Sequence, residues 1–512
     1  MRHILVTLLL LPLLIAVAAC SDDATNSPDG DIDGDQSTVT DGDSDISDGD
    51  TPDITDGDSP DITDGDATEE IPIDPDNACL TIDDDSTPVM DLSAEPTRLF
   101  GIDSTAMNTM DQTKSPLTMR MHAPLTANRC GSAGLVYLEP ENDDLRYLDL
   151  STTGLGEIVD AETSFKNKEL ALLFNKACTP LIITLDSDDG IVVHSRESNG
   201  SWIKTSNASG LHGGDGRISL VTAKMDNSGK LRVFAHRQSG DTTTGLLWMN
   251  SGETGAAWRL RSFDLPVQGE IHDYAHGADG EIHAVYPAVN TYPCDPCDND
   301  LYYAILAGGG DWSREVVQDS VWGDPDDRFA DQASLALSPG GVPVVAACYQ
   351  TRVITGSLKT SELRVYSRKD NDWCYETVAT QQDGYAGADG ETFTGQNPLI
   401  RLDDNGHPFV LFHDLTEWHS SGMANGIVGQ PRLAVRSADG WTMATLLKQA
   451  GQVESPNPLN GFKSAFIAPL PDGSAVYLAG VEFVWETDSI YNQTDMPINY
   501  KLFIRRAALN WQ

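Results

Sequence analysis

From residue 117 onward, short runs of branched and aromatic residues alternate with turns rich in Gly, Asp, Asn and Pro. Residues 333–379 show the pattern most clearly. ASLAL is followed by the turn SPGG, then VPVVAACYQ, a polar stretch, ELRVYSR, the turn KDND and WCYETVA. Short runs of this composition between turn signals predict strands, and the short turns predict hairpins. The unit reads as four consecutive antiparallel strands, a to d. The same order fits 117–162, 168–206, 217–264, 271–319 and 397–447. A seventh unit runs from GFKSAFIAP (461–469) through SAVYLAGV (474–481) and NYKLFIRRAA (499–508), and Asn510-Trp511-Gln512 then stands where its strand d should begin.

Tryptophan marks the repeat. It recurs at 202, 258, 312, 373, 441 and 511, each time after a short Gly, Asp or Asn turn. A region this long exceeds what one ordinary core organises, and serial four-stranded units at near-even spacing predict a β-propeller. The expected fold class is all-β: a seven-bladed β-propeller of four-stranded antiparallel blades. A segment from 79–103, with TRLFGID (97–103) as the candidate, is expected to supply the missing last strand. The alternative is two stacked β-sandwich domains, which leaves the Trp spacing and the short last unit unexplained.

The ends add location. Arg2 precedes an apolar run, Ile4 to Ala19, of secretory length and shorter than the roughly 20 residues of a bilayer span. Val17-Ala18-Ala19-Cys20 resembles the lipobox of bacterial lipoproteins, which implies a signal peptide over 1–19 and lipidation at Cys20, hence anchoring to a membrane. Residues 21–78 hold 21 acidic residues and no Lys or Arg, and 45–67 repeat with period eight as DISDGDTP, DITDGDSP and DITDGDA. Such a segment has little to bury and repels itself, so 20–78 is expected to be a disordered tether. Ser21-Asp22-Asp23 resembles the acidic signals that send some lipoproteins to the cell surface, so an outer-membrane location is expected. The Asp-Gly-Asp clusters lack the register and closing Glu of an EF-hand loop, so any calcium bound is expected to be weakly and diffusely held; no other cofactor is expected. Residues 79–512 carry a net charge of −25 within a chain of −45, which excludes nucleic acid as a partner. A monomer is expected.

In a propeller the a–b and c–d turns share one face, and the b–c and d–a loops the other. Here the a–b turns are minimal, whereas blades four to seven carry long b–c segments: 287–300, 350–361, 414–430 and 481–498. Long loops gathered on one face predict the ligand face. Its candidate residues are His272 and Asp273, Asp327 and Arg328, His413 and Asp414, Glu417 and Trp418, and Glu482 and Trp485. Aromatics beside carboxylates suit a glycan, and Trp also anchors protein interfaces. His413, Asp414, Glu417 and His419 match no strong zinc spacing. Cys294-Asp-Pro-Cys297 reads as a local disulfide in the blade-four loop. Cys348 and Cys374 fall on strands b and d of one blade, too far apart to bond across strand c, and both are expected to stay reduced. Cys79 is expected to pair with Cys130 or Cys178 and pin the N-terminal strap.

SGETGAAW (251–258) differs from the Asp-box Ser-x-Asp-x-Gly-x-Thr-Trp by Glu253 for Asp and Ala257 for Thr. On this motif the region resembles the sialidase-like propellers. The resemblance implies a folding signature at the c–d hairpin of blade three. That family's arginine triad, Tyr–Glu pair and acid cannot be carried onto this chain, Arg98 being a poor substitute for the first arginine. The expected function is therefore a surface-tethered propeller that binds a glycan or protein without catalysis. A glycoside hydrolase is the runner-up and a scaffold of a surface complex the third reading.

Overall fold

The computed structural model describes residues 69–73, 78–82, 86–94, 97–103, 125–139, 144–152, 156–161, 170–185, 190–207, 217–225, 230–239, 242–250, 258–265, 271, 273–277, 280–287, 300–307, 311–318, 327–352, 358–380, 390–420, 423–446, 460–484 and 499–512. All lie in the second of two compact units, Asp64–Gln512. Every regular element among them is a β-strand, and no described helix could cross a membrane.

The strands form seven antiparallel sheets in chain order: 125–160, 170–207, 217–264, 273–318, 327–380, 390–445 and 460–511. The first six are meanders a-b-c-d and the seventh runs a-b-c with its fourth strand supplied from the N-terminal side, so the protein is a seven-bladed β-propeller. Both faces of a blade are buried, which is why the inner strands read as near-continuous apolar runs. Strand b of blade five shows this. Val345 and Ala347 pack toward blade four with Tyr303 and Val317, while Val344 and Ala346 pack toward blade six with Ile400 and Phe412. The gap between blades widens outward, and large side chains fill it. Trp202, Trp258, Trp312, Trp373, Trp441 and Trp511 each belong to a different one of the six apolar clusters between blades. The Asp-box-like residues 251–257 lie outside the described part, but Asn250 pairs with Trp258 across the hairpin they close.

Ring closure follows the expectation and extends it. Thr97–Asp103 pairs with the upper part of strand c of blade seven, Asn499–Trp511, and Pro88–Asp91 pairs with its lower part. Two N-terminal segments thus share the place of strand d. Trp511 does not open that strand. It ends strand c opposite Pro88, stacks on His407 at 4.3 Å and donates its indole N–H to the Gly473 carbonyl at 2.9 Å.

The strap reaches further than its composition suggests. Glu69–Pro72, counted with the acidic tether by sequence, adds a fifth strand to blade six by pairing with 440–443. Beyond it Cys79 bonds Cys374 of blade five, with Cα atoms 5.6 Å apart. This corrects two expectations: Cys374 is oxidised, and Cys79 pairs with neither Cys130 nor Cys178, which bond each other. The blade geometry itself holds, since strand c lies between Cys348 and Cys374, and Cys348 is buried and forms no disulfide. The partner of Cys374 came from outside the blade, on a strap whose path no local spacing encodes. Cys294 and Cys297 lie outside the described residues.

Under the disulfide sits Glu376, 3% exposed. Its Oε1 accepts the backbone N–H groups of Cys79 and Leu80, at 2.9 and 3.0 Å. The Arg436 guanidinium grips both oxygens, at 2.7 and 3.2 Å, and the Trp441 indole donates to Oε2 at 2.9 Å. One carboxylate therefore ties the strap to blades five and six.

Candidate functional site

The long b–c segment of blade six is not a loop. Strand b runs Pro408–Ser420 and strand c Met423–Arg436, with Glu417 opposite Ile427 and Trp418 opposite Gly426. Strand a begins at Gly390, opposite Trp418. Gly426 and Gly429 of SGMANGIVGQ read as loop residues in sequence, yet they lie in strand c of a hairpin in which Ser420 pairs with Met423. Blade five does the same, with strands b and c reaching Arg352 and Leu358. The ligand face predicted as loops is, in these two blades, a strand-built wall.

Strand a of blade six is kinked where it meets this wall. Between Phe393 and Leu399 the pairing slips twice, each time by one extra residue against strand b. Such bulges re-aim side chains and are over-represented beside functional sites. Gly395 and Asn397 take positive φ, 78° and 50°, which Gly and Asn tolerate best. A Cβ on Gly395 would sit 2.8 Å from the Leu363 Cβ of blade five. Gly395→Ala should therefore cost about 1–3 kcal/mol from strain plus the contact. Urea denaturation at neutral pH checks this; an unchanged midpoint would show that the bulge yields freely.

The kink gathers polar groups from two blades. Thr394 donates its hydroxyl to Asp414 Oδ1, and Arg432 Nη1 lies 3.2 Å from Asp414 Oδ2. Burial pushes the Asp414 carboxyl above its ordinary range, while Arg432 and the Thr394 hydroxyl pull it back. His413 is buried beside it. From blade five, the Ser361 hydroxyl donates to the Thr394 carbonyl at 2.7 Å and accepts the Thr394 N–H at 3.1 Å. The Cys348 thiol faces the same carbonyl at 3.3 Å.

The remaining candidates divide. Asp273 lies in strand a of blade four, on the inner ring, where Oδ2 accepts from the Ser334 hydroxyl at 2.7 Å and the Leu335 N–H at 2.9 Å. Ser334 in turn accepts the Ile400 N–H at 3.1 Å. These groups satisfy the inner edges of successive strands a, which face the axis without a neighbouring strand. Arg401 of blade six reaches toward Asp273 at 3.8 Å. Asp273 is thus spent on ring closure, apart from the Asp414 cluster. Asp327 and Arg328 open strand a of blade five opposite Thr351 and Gln350, and Glu482 lies in strand b of blade seven opposite Lys501. For these three, and for Glu417 and Trp418, only the backbone is described. His272 and Trp485 fall outside the described residues. Among the described residues no group of three His, Cys, Asp or Glu could hold a metal ion.

Sequence reasoning missed Thr394, Ser361 and Arg432. The signal for the first was present: Thr-Gly-Gln-Asn (394–397) interrupts a β-run with two residues suited to positive φ. Ser361 and Arg432 are ordinary strand residues until the bulge places Thr394 against them.

No family model and no curated protein matches the chain. Solved structures similar to it include the polysaccharide lyase Uly1, at 12% identity over 76% of this chain and 90% of that one, with a TM-score of 0.45. An α-L-arabinanase of Penicillium chrysogenum complexed with arabinobiose matches at 11% identity over 65% and 92%, with a TM-score of 0.34. The six-bladed β-propeller lectin of Aleuria aurantia matches at 13% identity over 64% and 96%, with a TM-score of 0.35. At these identities the likeness is one of fold alone. The chain's own strand pairing makes it a seven-bladed β-propeller closed by its N-terminal strap.

Proposed function

We propose that this is a surface-tethered lipoprotein, anchored through Cys20 and spaced by its acidic tail, whose propeller binds a glycan without cleaving it. The wall built by blades five and six is the ligand face, and Asp414, Arg432 and Thr394 brace it. The observation that carries the non-catalytic reading is where the acids are spent. Glycoside hydrolysis needs two carboxyl groups facing one substrate, about 5–5.5 Å or 6.5–9.5 Å apart. Among the described residues, Asp414 is held by Arg432 and Thr394. Glu376 is held by Arg436, Asp403 by His407 at 2.8 Å, and Asp273 by Ser334 and Leu335. Each is neutralised or saturated inside the protein rather than aimed at a shared space.

A glycan array and a fluorogenic glycoside panel, both run on the full chain in detergent, test this. Array binding with no turnover is expected. Turnover of any glycoside would move the protein to the hydrolases, and a blank array would remove the glycan.

A further inference from the structure

A second polar–aromatic cluster lies on the opposite side of blade five, and the ligand wall makes no use of it. On strand c, Glu362, Arg364 and Tyr366 alternate along the face that packs toward blade four. Arg364 is clamped between two rings: its guanidinium carbon lies 3.6 Å from the Tyr349 ring centre and 4.4 Å from that of Tyr375. Glu362 Oε2 takes both Nε and Nη2 of Arg364, each at 2.8 Å. Such a stack fixes a flexible side chain in one orientation before any ligand arrives.

The outer end of the cluster is open. Tyr375 sits on strand d, the outermost strand of the blade, and is 45% exposed. One side of it packs on Arg364 and on Tyr366, whose ring centre is 5.6 Å away. Glu362 is part-buried and Oε1 takes no part in the pair. An exposed ring beside an oriented Arg–Glu pair offers three things at once: an apolar platform, N–H donors and a carboxylate acceptor. That combination matches a pyranoside, which has an apolar C–H face and adjacent hydroxyls that both donate and accept. Pre-ordering lowers the entropy lost on binding.

We propose that the cluster of Tyr349, Glu362, Arg364 and Tyr375, on the blade-four side of blade five, is a lateral sugar-binding site on the other face of that blade from the Asp414 cluster. Tyr375 stacks on the sugar ring, and the Glu362–Arg364 pair reads neighbouring hydroxyls. The inference rests on the glycan-binding reading but puts a binding site at the base of the blade-five hairpin, on its blade-four side.

Saturation-transfer NMR on the full chain, with methyl glycosides of galactose, mannose, fucose and xylose as probes, tests it. At least one glycoside is expected to bind. Tyr375→Ala and Glu362→Gln should each weaken it by roughly tenfold or more, and Tyr375→Phe should retain it. Ile203→Ala, an exposed outer-strand residue of blade two, is the matched control and should change nothing. Circular dichroism and melting of each variant separate lost binding from lost fold. Equal binding by wild type and Tyr375→Ala, or array binding without any response to these glycosides, overturns the lateral site and leaves the glycan-binding reading standing. A silent panel together with a blank array overturns both.

Discussion

Replacing Glu376 by Ala should destabilise the propeller by about 3–5 kcal/mol, the range for breaking a buried ion pair from one side. The loss comes chiefly from what is left behind. Arg436 is 1% exposed, so its guanidinium would remain charged, buried and without its carboxylate. Two strap N–H groups and the Trp441 indole would lose their acceptor in the same step. The partner matters as much as the acid. Glu376→Ala combined with Arg436→Met should recover part of the loss, because the orphaned charge is gone. The disulfide gives a second axis. Cys79–Cys374 closes a separation of 295 residues, and native disulfides commonly contribute about 2–5 kcal/mol. Because Glu376 holds the backbone of Cys79 itself, removing both should depart from additivity by more than about 0.5 kcal/mol. Urea denaturation of the wild type, Glu376→Ala, Glu376→Ala with Arg436→Met, Cys79→Ser, and Glu376→Ala with Cys79→Ser measures all of this. Additive losses would mean that acid and disulfide hold separate parts of the strap.

The fold was far more legible than the site, for a physical reason. Blades are local: strand, turn and strand are read from alternation and turn chemistry within fifty to seventy residues, and Trp202 through Trp441 mark where the outer strands of blades two to six start. The closing segment TRLFGID was legible because a ring with one strand missing has one place left to fill. What failed was non-local or depended on a strand going on past its expected end. Cys79 meets Cys374 on a strap that Glu69–Pro72 joins to blade six, a pairing far apart in sequence. The wall of blades five and six reads as loops because Gly and Ser suggest turns, while cross-strand pairing keeps it extended. Asp273 reads as a ligand-face residue in sequence, and position alone cannot distinguish a ligand residue from one that saturates a neighbouring strand's edge.

Acid should loosen the protein well before its carboxylates protonate. Three of the buried histidines carry this effect: His194, His276 and His283, at 0%, 5% and 7% exposure. Burial holds their ionisation down to about 4, 3 and 4 respectively, with Lys224, Arg232 and His283 pushing His276 further. In the unfolded chain each would titrate near 6.5. The folded state therefore refuses protons that the unfolded state accepts, so stability is whole above pH 6.5 and falls as pH drops toward 4. At 1.36 kcal/mol per unit, pH 5 costs about 2 kcal/mol for each histidine and about 6 kcal/mol for the three, against a typical total of 5–15 kcal/mol. The −45 charge works in the opposite direction, since carboxylate protonation relieves self-repulsion, but only below about pH 5 and only where salt has not screened it. Urea denaturation at pH 7.5 and 5.0, in low and high salt, separates the two: the histidine loss should survive high salt. His276 supplies the sharper test. Neither of its ring nitrogens has a hydrogen-bond partner among the described residues, so His276→Leu sacrifices no bond at pH 7.5 and should remove about a third of the acid loss. A slope unchanged in His276→Leu would mean that this site protonates in the folded protein as readily as in the unfolded chain, and that acid acts elsewhere in the ring.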